Sequence, residues 1–430
     1  MTQSSSADKQ RLTRRQLSAL NEVLTQVLSF EHPADQVISR YFRAHRQLGG
    51  GDRRMIAETV YAGLRHYYRV EAMLAGDDDQ RYFALASLIA ARGYSISQLE
   101  PVLNGSEIRW AKNAKSRPKR DDLCARAELP EWVIKRLQAV QDDEAIVALG
   151  RSLQSPAPLD LRVNRLKSDR AAVLAQLQAE GIAATPCRWA PDGIRLEDKP
   201  ALQRHPLFLD GVVEVQDEGS QLISLLVDPQ PGERVVDFCA GAGGKTLHLG
   251  ALMDNRGRID AYDIAERRLQ RLKPRLARSG LSNIQTRVLR DEHDPMLKKR
   301  AAGADRVLVD APCTGLGTLR RNPDLKFRQS EAGLMELTER QASILAAASR
   351  LVKPGGRLIY ATCSLLPDEN QQIIADFLRQ QPEFTRLSVA ARLAEFATDL
   401  TMADDLVLSP QDHDCDGFYA CVMQRSVADA

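Results

Sequence analysis

Apolar positions near the start of the chain recur at three- and four-residue steps. Leu17, Leu20, Val23, Leu24, Val27 and Leu28 form one helix face. A second helix is expected over 33–48, ended by Gly49-Gly50-Gly51. Asp52 then suits the cap of a third, which carries Met55, Ile56, Val60, Leu64 and Tyr67. Two more are expected over 80–92 and 95–103, and another follows Pro130 with Trp132, Val133, Ile134 and Leu137. No strand is predicted before Pro158.

From Leu159 the period changes. Leu159-Asp160-Leu161-Arg162-Val163 alternates like a strand, and 170–180 reads as a helix ended by Gly181. Strands are then expected at 234–239, 257–263, 284–289, 306–310 and 357–362, with helices at 245–253, 265–279, 331–351 and 368–380 between or after them. Repeated βα units predict a parallel sheet wrapped by helices, with ligands at the carboxyl ends of the strands.

At 430 residues the chain exceeds one ordinary core, and three domains are expected. They are an all-α domain at 1–150, a small α/β subdomain at 151–228 and a Rossmann-like α/β domain at 229–430. A composition of 43% hydrophobic and 27% charged residues excludes whole-chain disorder. No apolar run approaches the roughly 18 residues of a membrane helix. Residues 1–16 are polar and basic without the apolar core of a secretory signal. The seven cysteines contain no C-x-x-C pair, so no metal site is expected. Together these features lead to the expectation of a cytoplasmic protein with free thiols, by default a monomer. A net charge of +2 neither demands nor excludes a nucleic-acid partner. One stretch is distinctly basic: Arg109, Lys112, Lys115, Arg117, Lys119 and Arg120 face the single acid Glu107, beside Trp110. It reads as a flexible linker that touches phosphates and stacks a base, against the plainer reading of a solvated charge run.

The turn Ala240-Gly241-Ala242-Gly243-Gly244-Lys245-Thr246 ends in GKT, yet Cys239 stands where a triphosphate-binding loop needs glycine. The dinucleotide pattern begun at Gly241 fails at Thr246. A glycine bend remains, opening onto a helix N-terminus, with Asp237 at the end of the strand before it. Asp263 ends the next strand, where an acid accepts ribose hydroxyls. Asp291 follows the third, in reach of an adenine amine. This combination suits a nucleoside bearing a carboxylate, such as S-adenosylmethionine, over a dinucleotide.

Two further strands run into Asp310-Ala311-Pro312-Cys313 and Thr362-Cys363-Ser364. Both thiols therefore leave the sheet at the edge that carries the glycine bend. Thiols there suit chemistry on cytosine, whose C5 is a poor nucleophile. A thiolate added at C6 turns the ring into an enamine that accepts a methyl group at C5. Asp310 is placed to position cytosine N3 and N4.

These motifs resemble the Sun/Fmu family of RNA cytosine-5 methyltransferases, and within it the bacterial small-subunit ribosomal RNA branch. The resemblance spans most of 159–424. It includes Leu161-Arg162-Val163-Asn164, the run from Val215 to Gln221, Arg320-Arg321-Asn322-Pro323-Asp324 and Asp416-Gly417-Phe418-Tyr419. It implies a Rossmann-like S-adenosylmethionine-dependent methyltransferase domain. Cys363 would be the nucleophile and Cys313 would assist product release, with Asp310 and Lys245 beside the target base. The implied donor-binding residues are Cys239, Ala240, Gly241, Gly243, Gly244, Lys245, Asp263, Arg268, Asp291 and Asp310. RNA contacts are expected at Arg162, Asn164, Arg320, Arg321 and Lys326. The helices before 150, notably Val60-Tyr61-Ala62-Gly63-Leu64-Arg65, resemble a NusB-like RNA-binding domain. The partner implied is RNA, ribosomal in the first instance. One departure stands out: Ala242 occupies the place of the family's usual loop proline, so the bend loses a fixed φ. It motivates one alternative to a ribosomal RNA enzyme, a catalytically weak RNA-binding assembly factor; the same chemistry on tRNA is a separate one.

Overall fold

The computed structural model describes residues 12–76, 79–396 and 399–427. Most of the polar N-terminal stretch lies outside them. The chain forms two compact units, one of residues 1–156 with 318–331, the other of 157–317 with 332–430.

The first unit is helical. Its longer helices are Arg14–Val27, Ala34–Ala44, Gly50–Arg65, Gly105–Lys115 and Asp143–Ser152. Their apolar faces meet in one core that includes Leu20, Val23, Leu24, Ile56, Val60, Leu64, Leu85 and Leu88. Among the described residues no strand precedes Leu159. Two expectations are corrected. Asp52 lies inside its helix rather than capping it, and accepts the amide of Gly49, the true N-cap, at 3.0 Å. The basic stretch is mostly a helix, not a flexible linker. Asn104 caps it, and Trp110, Ala111 and Ala114 form its buried face. Trp110 is stacked on Tyr82 with centroids 4.5 Å apart, so it is committed to the core and not open to a base.

Residues 318–331 leave the Rossmann-like domain in sequence and pack as part of this helical unit. Phe327 sits 5.0 Å from Phe30 and 4.3 Å from Tyr67, centroid to centroid. Asp324 accepts the amide of Ala34 at 3.2 Å and so caps a helix distant in sequence. Lys326 donates to the carbonyls of Glu128 at 2.8 Å and Arg65 at 3.2 Å, and Arg65 donates to the carbonyl of Arg320 at 2.9 Å. Arg320 and Lys326, expected as RNA contacts, are only 2% and 3% exposed. They are interior cations of a plug. Arg321 is half-buried.

The second unit holds two sheets. The smaller contains β1 (Leu159–Val163), β2 (Ala184–Pro186), β3 (Gly193–Leu196) and β4 (Val213–Val215), antiparallel in the order β2-β3-β1-β4. The larger contains β5 (Arg234–Asp237), β6 (Arg258–Asp263), β7 (Ile284–Val288), β8 (Ala304–Asp310), β9 (Val352–Thr362), β10 (Phe384–Leu387), β11 (Leu406–Leu408) and β12 (Phe418–Arg425). Its order is β10-β12-β9-β8-β5-β6-β7, with β11 on β12. Strands β5 to β9 pair in parallel, and β10 to β12 pair antiparallel.

Both faces of the central strands are covered, which explains their nearly continuous apolar runs. Val235, Leu308 and Ile359 face the layer with helix Glu218–Val227. Val236, Val307, Val309, Leu358 and Tyr360 face the layer with Leu345 and Ile374. The order reverses between β5 and β8, and at such a switch point the crevice beyond the strand ends receives the ligand. The sequence pattern does not predict β10, β11 and β12. The run Phe-Tyr-Ala-Cys-Val-Met in β12 is apolar on both faces, and periodicity cannot tell such a strand from a buried helix. Among the described residues no helix is long and apolar enough to cross a membrane.

Candidate active site

The glycine bend begins where β5 ends at Asp237. Gly241 and Gly243 have φ of +56° and +82°, and a Cβ on Gly243 would lie 2.1 Å from Leu272. Only glycine allows both the turn and this approach. Asp263, at the end of β6, accepts the amides of Gly241 at 2.8 Å and Ala265 at 2.7 Å. It braces the bend, and each carboxylate oxygen keeps a lone pair for a sugar hydroxyl. Arg268 lies over Gly241, its guanidinium 2.8 Å from where a Cβ would be. Asp237 is 1% exposed; one oxygen takes the Thr246 hydroxyl at 2.6 Å and the other has no protein partner. Burial pushes its carboxyl up to about 7. A buried acid with one oxygen left without a protein partner, beside the glycine bend, fits a polar ligand such as S-adenosylmethionine.

Two arginines hold the bend from outside. Arg275 donates to the carbonyl of Ala242 at 2.6 Å, and Arg162 donates to that of Gly244 at 2.8 Å. Arg275 is steadied by Glu214 of β4 at 2.9 Å. Arg162, on β1, was expected to meet RNA but is 2% exposed, and burial lowers it to about 10. Asn164 is also internal, donating to the carbonyls of Gly211 at 3.1 Å and Ser279 at 2.9 Å. Arg162 ties the small sheet to the glycine bend, and Asn164 ties it to the end of helix Glu266–Ser279. Asp291 turns its carboxylate into its own loop, accepting the His293 amide at 2.9 Å and pairing with Arg290 at 3.3 Å.

Beside the bend, β8 and β9 deliver the two thiols. The Ala311 amide donates to the carbonyl of Ala361 at 2.8 Å, which keeps the emerging segments in step. The sulfurs of Cys313 and Cys363 are 3.4 Å apart. Lys245 donates to Asp310 at 2.8 Å and lies 5.4 Å from the Phe418 ring centroid. Burial pulls the Lys245 ammonium down, but the charge and hydrogen bond of Asp310 outweigh it, so the net direction is up. The Cys313 thiol is held well above its usual range, by the hydrogen bond with Cys363 first and by burial next. Burial also pushes Cys239 up. The structure thus gathers Lys245, Asp310, Cys313 and Cys363 at one strand edge, as expected.

Behind the thiols lies a group that sequence reasoning missed. Glu369 is fully buried and accepts from the Thr314 amide and hydroxyl, the Ser364 hydroxyl and the Gln341 amide. Asn370 accepts from the Thr362 hydroxyl at 2.5 Å and donates to the carbonyl of Ser364 at 3.1 Å. The available signal was Glu369-Asn370 itself, polar and only six residues after Cys363. Among the described residues the group with metal-ligand spacing is Asp160, Cys187 and Glu218. Arg195 already lies there, donating to Asp160 at 2.8 Å.

Residues 224–424 match the family described as 16S rRNA methyltransferase RsmB/F. Residues 129–203 match a ferredoxin-like domain described for the same family. A probable ribosomal RNA small subunit methyltransferase B from Synechocystis sp. is 30% identical over 96% of this chain and 100% of its own. The chain belongs to this family. A second member, the probable methyltransferase B of Bacillus subtilis, is 35% identical over 70% of this chain and 68% of its own. Among solved structures, a methyltransferase homolog from Pyrococcus horikoshii is 27% identical, covers 71% of this chain and 98% of its own, and has a TM-score of 0.60. NSun6 from Pyrococcus horikoshii, solved with SFG, shares the fold at 19% identity and a TM-score of 0.61, over 70% of this chain and 99% of its own. As in the rest of the family, the α/β unit is a Rossmann-like, S-adenosylmethionine-dependent methyltransferase domain.

Proposed function

We propose that this chain methylates C5 of a cytosine in small-subunit ribosomal RNA through a covalent bond between Cys363 and C6. The observation that carries the reading is the pair of thiols 3.4 Å apart, beside the Lys245–Asp310 ion pair at the switch point. The family membership supports ribosomal RNA as substrate.

S-adenosylmethionine, when bound, supplies an electrophilic methyl group. The bend Gly241–Gly244 and Asp263 would hold it, with Lys245 and Asp310 at its reactive end. Cys363 loses its proton to solvent, and a sulfur lone pair forms the bond to C6. The C5–C6 π electrons form the new bond from C5 to the methyl group, while the bond from that methyl to the donor's sulfonium sulfur breaks and its electron pair stays on the departing thioether. Asp310, fixed by Lys245, accepts from the cytosine amine and holds the ring over Cys363. Cys313, its own proton lost to solvent, takes the C5 proton. The electrons of that C–H bond restore the ring double bond and expel the Cys363 thiolate.

For RNA we infer a surface that includes the end of the basic stretch, in place of the buried Arg162, Asn164, Arg320 and Lys326. A cleft of about 700 Å³ in the helical unit is lined by Arg69, Lys115, Arg117, Lys119, Arg120 and Arg151. Such a cationic groove suits a phosphate backbone.

The test is trapping. Cys313→Ala protein is incubated with S-adenosylmethionine and cellular RNA lacking this modification, denatured, and the RNA in any detergent-stable adduct sequenced. The expected result is an adduct on small-subunit ribosomal RNA that disappears when Cys363→Ala is added. An adduct on tRNA would move the substrate. No adduct, together with no methylation by the wild-type protein, would favour the binding-factor reading.

A further inference from the structure

The Glu369 carboxylate touches both thiol-bearing loops at once. Its first oxygen accepts from the Thr314 amide at 2.8 Å and the Gln341 side chain at 2.9 Å. Its second accepts from the hydroxyls of Thr314, at 2.5 Å, and Ser364. Thr314 directly follows Cys313, and Ser364 directly follows Cys363. Gln341 also donates to the carbonyl of Pro312 at 2.9 Å, so the residue before Cys313 is tied into the same knot. The Glu369 carbonyl accepts from the Tyr360 hydroxyl at 2.7 Å, which anchors it to β9. Asn370 brackets Cys363 through Thr362 and Ser364.

A fully buried carboxylate is costly unless hydrogen-bonded, and this one is met by four donors and, among the described residues, by no cation. Burial of that kind is poor evidence for a net contribution to stability, because replacing the carboxylate together with its donors by apolar groups is often neutral, although removing the carboxylate alone leaves four buried donors unpaired. What the carboxylate does provide is a common reference point for two loops separated by 50 residues.

We propose that Glu369 is a positioning residue that sets the register between Cys313 and Cys363, and so couples attack at C6 to release of the product. This rests on the reading of the two thiols given above. The carboxylate never reaches the substrate. It fixes the loops so that the sulfur that attacks and the sulfur that assists release serve the same base. Displacements near 1 Å in such geometry cost about 100-fold in rate.

The test compares Glu369→Ala, Glu369→Gln and wild type in two assays. The first uses neither RNA nor methyl donor. Diamide oxidises the two thiols to a disulfide, taking up two electrons and two protons itself, and mass spectrometry follows closure of Cys313 to Cys363. Glu369→Ala is expected to close at least about tenfold more slowly than wild type. Glu369→Gln, which keeps the length and half the acceptors, is expected within about fivefold of wild type. The second assay measures methyl transfer. Glu369→Ala should lose about 100-fold in kcat with KM for RNA within about threefold, and should accumulate detergent-stable adduct during turnover. Should Glu369→Ala lack a cooperative unfolding transition, Thr314→Val, which removes one donor at constant volume, takes its place with the same direction of effect.

Closure and kcat at wild-type levels in the Ala or Val variant would overturn the proposal. So would losses in kcat that merely track the folded fraction, without adduct and without rescue by Gln. Slow closure in the variant beside a wild-type protein that makes no 5-methylcytosine would uphold the clamp and sink the reaction assigned to the thiols.

Discussion

Replacing Lys326 separates two roles that the same residue type performs. As an RNA contact it would be exposed and strengthen binding. In the fold it is 3% exposed, donates to two carbonyls and lies 3.8 Å from the Glu128 carboxylate. Burial lowers its ammonium from 10.5 to about 8, against the pull of Glu128. At 1.36 kcal/mol per unit, the folded state therefore disfavours the charged form by about 3 kcal/mol. The folded pKa is below the unfolded one, so between about pH 8 and 10.5 the unfolded chain binds more protons and stability rises with pH. Below about 8 the cost is fully present. Lys326→Met removes this cost but leaves two carbonyls without donors, at about 1–3 kcal/mol each, so it should fall within about 2 kcal/mol of wild type at pH 7. Lys326→Ala adds a cavity to the same losses, and should lose about 3–5 kcal/mol. Hydrogen exchange of peptides from 12–156 in increasing urea measures this at pH 7 and 10. The wild-type advantage over Met should grow by up to about 3 kcal/mol between those values. RNA affinity of the folded variants should match wild type. Wild-type stability for Lys326→Ala, with an RNA salt slope reduced by about one, would refute the reasoning.

Arg162→Met removes the donor to the Gly244 carbonyl, worth about 1.5–3 kcal/mol for a charged donor. Calorimetry should show S-adenosylmethionine binding weakened about tenfold or more with RNA affinity unchanged, and the opposite pattern would return Arg162 to the RNA surface. Asp237, buried with its carboxyl raised to about 7, favours the folded state while protonated and loses that advantage as pH rises from about 3.8 through 7. Asp237→Asn stays neutral, so its gain in thermal stability should be larger at pH 8 than at pH 5, by about 2 kcal/mol; an equal effect at both would exclude the ionisation as cause. Trp110→Ala should destabilise the helical unit by about 3 kcal/mol through loss of packing on Tyr82, with no change in the RNA affinity of the folded fraction.

What was legible in the sequence was whatever chemistry sits at the end of a buried strand. The strands Val307-Leu308-Val309 and Leu358-Ile359-Tyr360 are apolar on both faces, so they announce themselves. A glycine bend or a cysteine directly after such a run must lie at the carboxyl edge of the sheet. Local sequence therefore reached Asp263, Lys245, Asp310, Cys313 and Cys363. It missed the antiparallel strands β10 to β12, because their partners are fixed by pairing across the sheet and not by period.

Charge was legible only as composition. Arg320 and Lys326 read as part of an exposed basic cluster, because arginines and lysines are usually exposed, and Arg162 entered with a motif the resemblance carries. Their burial is decided by acceptors far away in sequence, the Gly244 carbonyl for Arg162 and the Glu128 carbonyl for Lys326. No window along the chain contains both partners. The same logic applies to Glu369, which reads as an ordinary acid in a short turn. Its four donors come from 314, 341 and 364, and they converge only after β8 and β9 have paired. A buried charge is thus a consequence of the finished fold. Such residues report on geometry that the motifs need but do not encode, which is why the thiols were readable from sequence and the carboxylate that holds them was not.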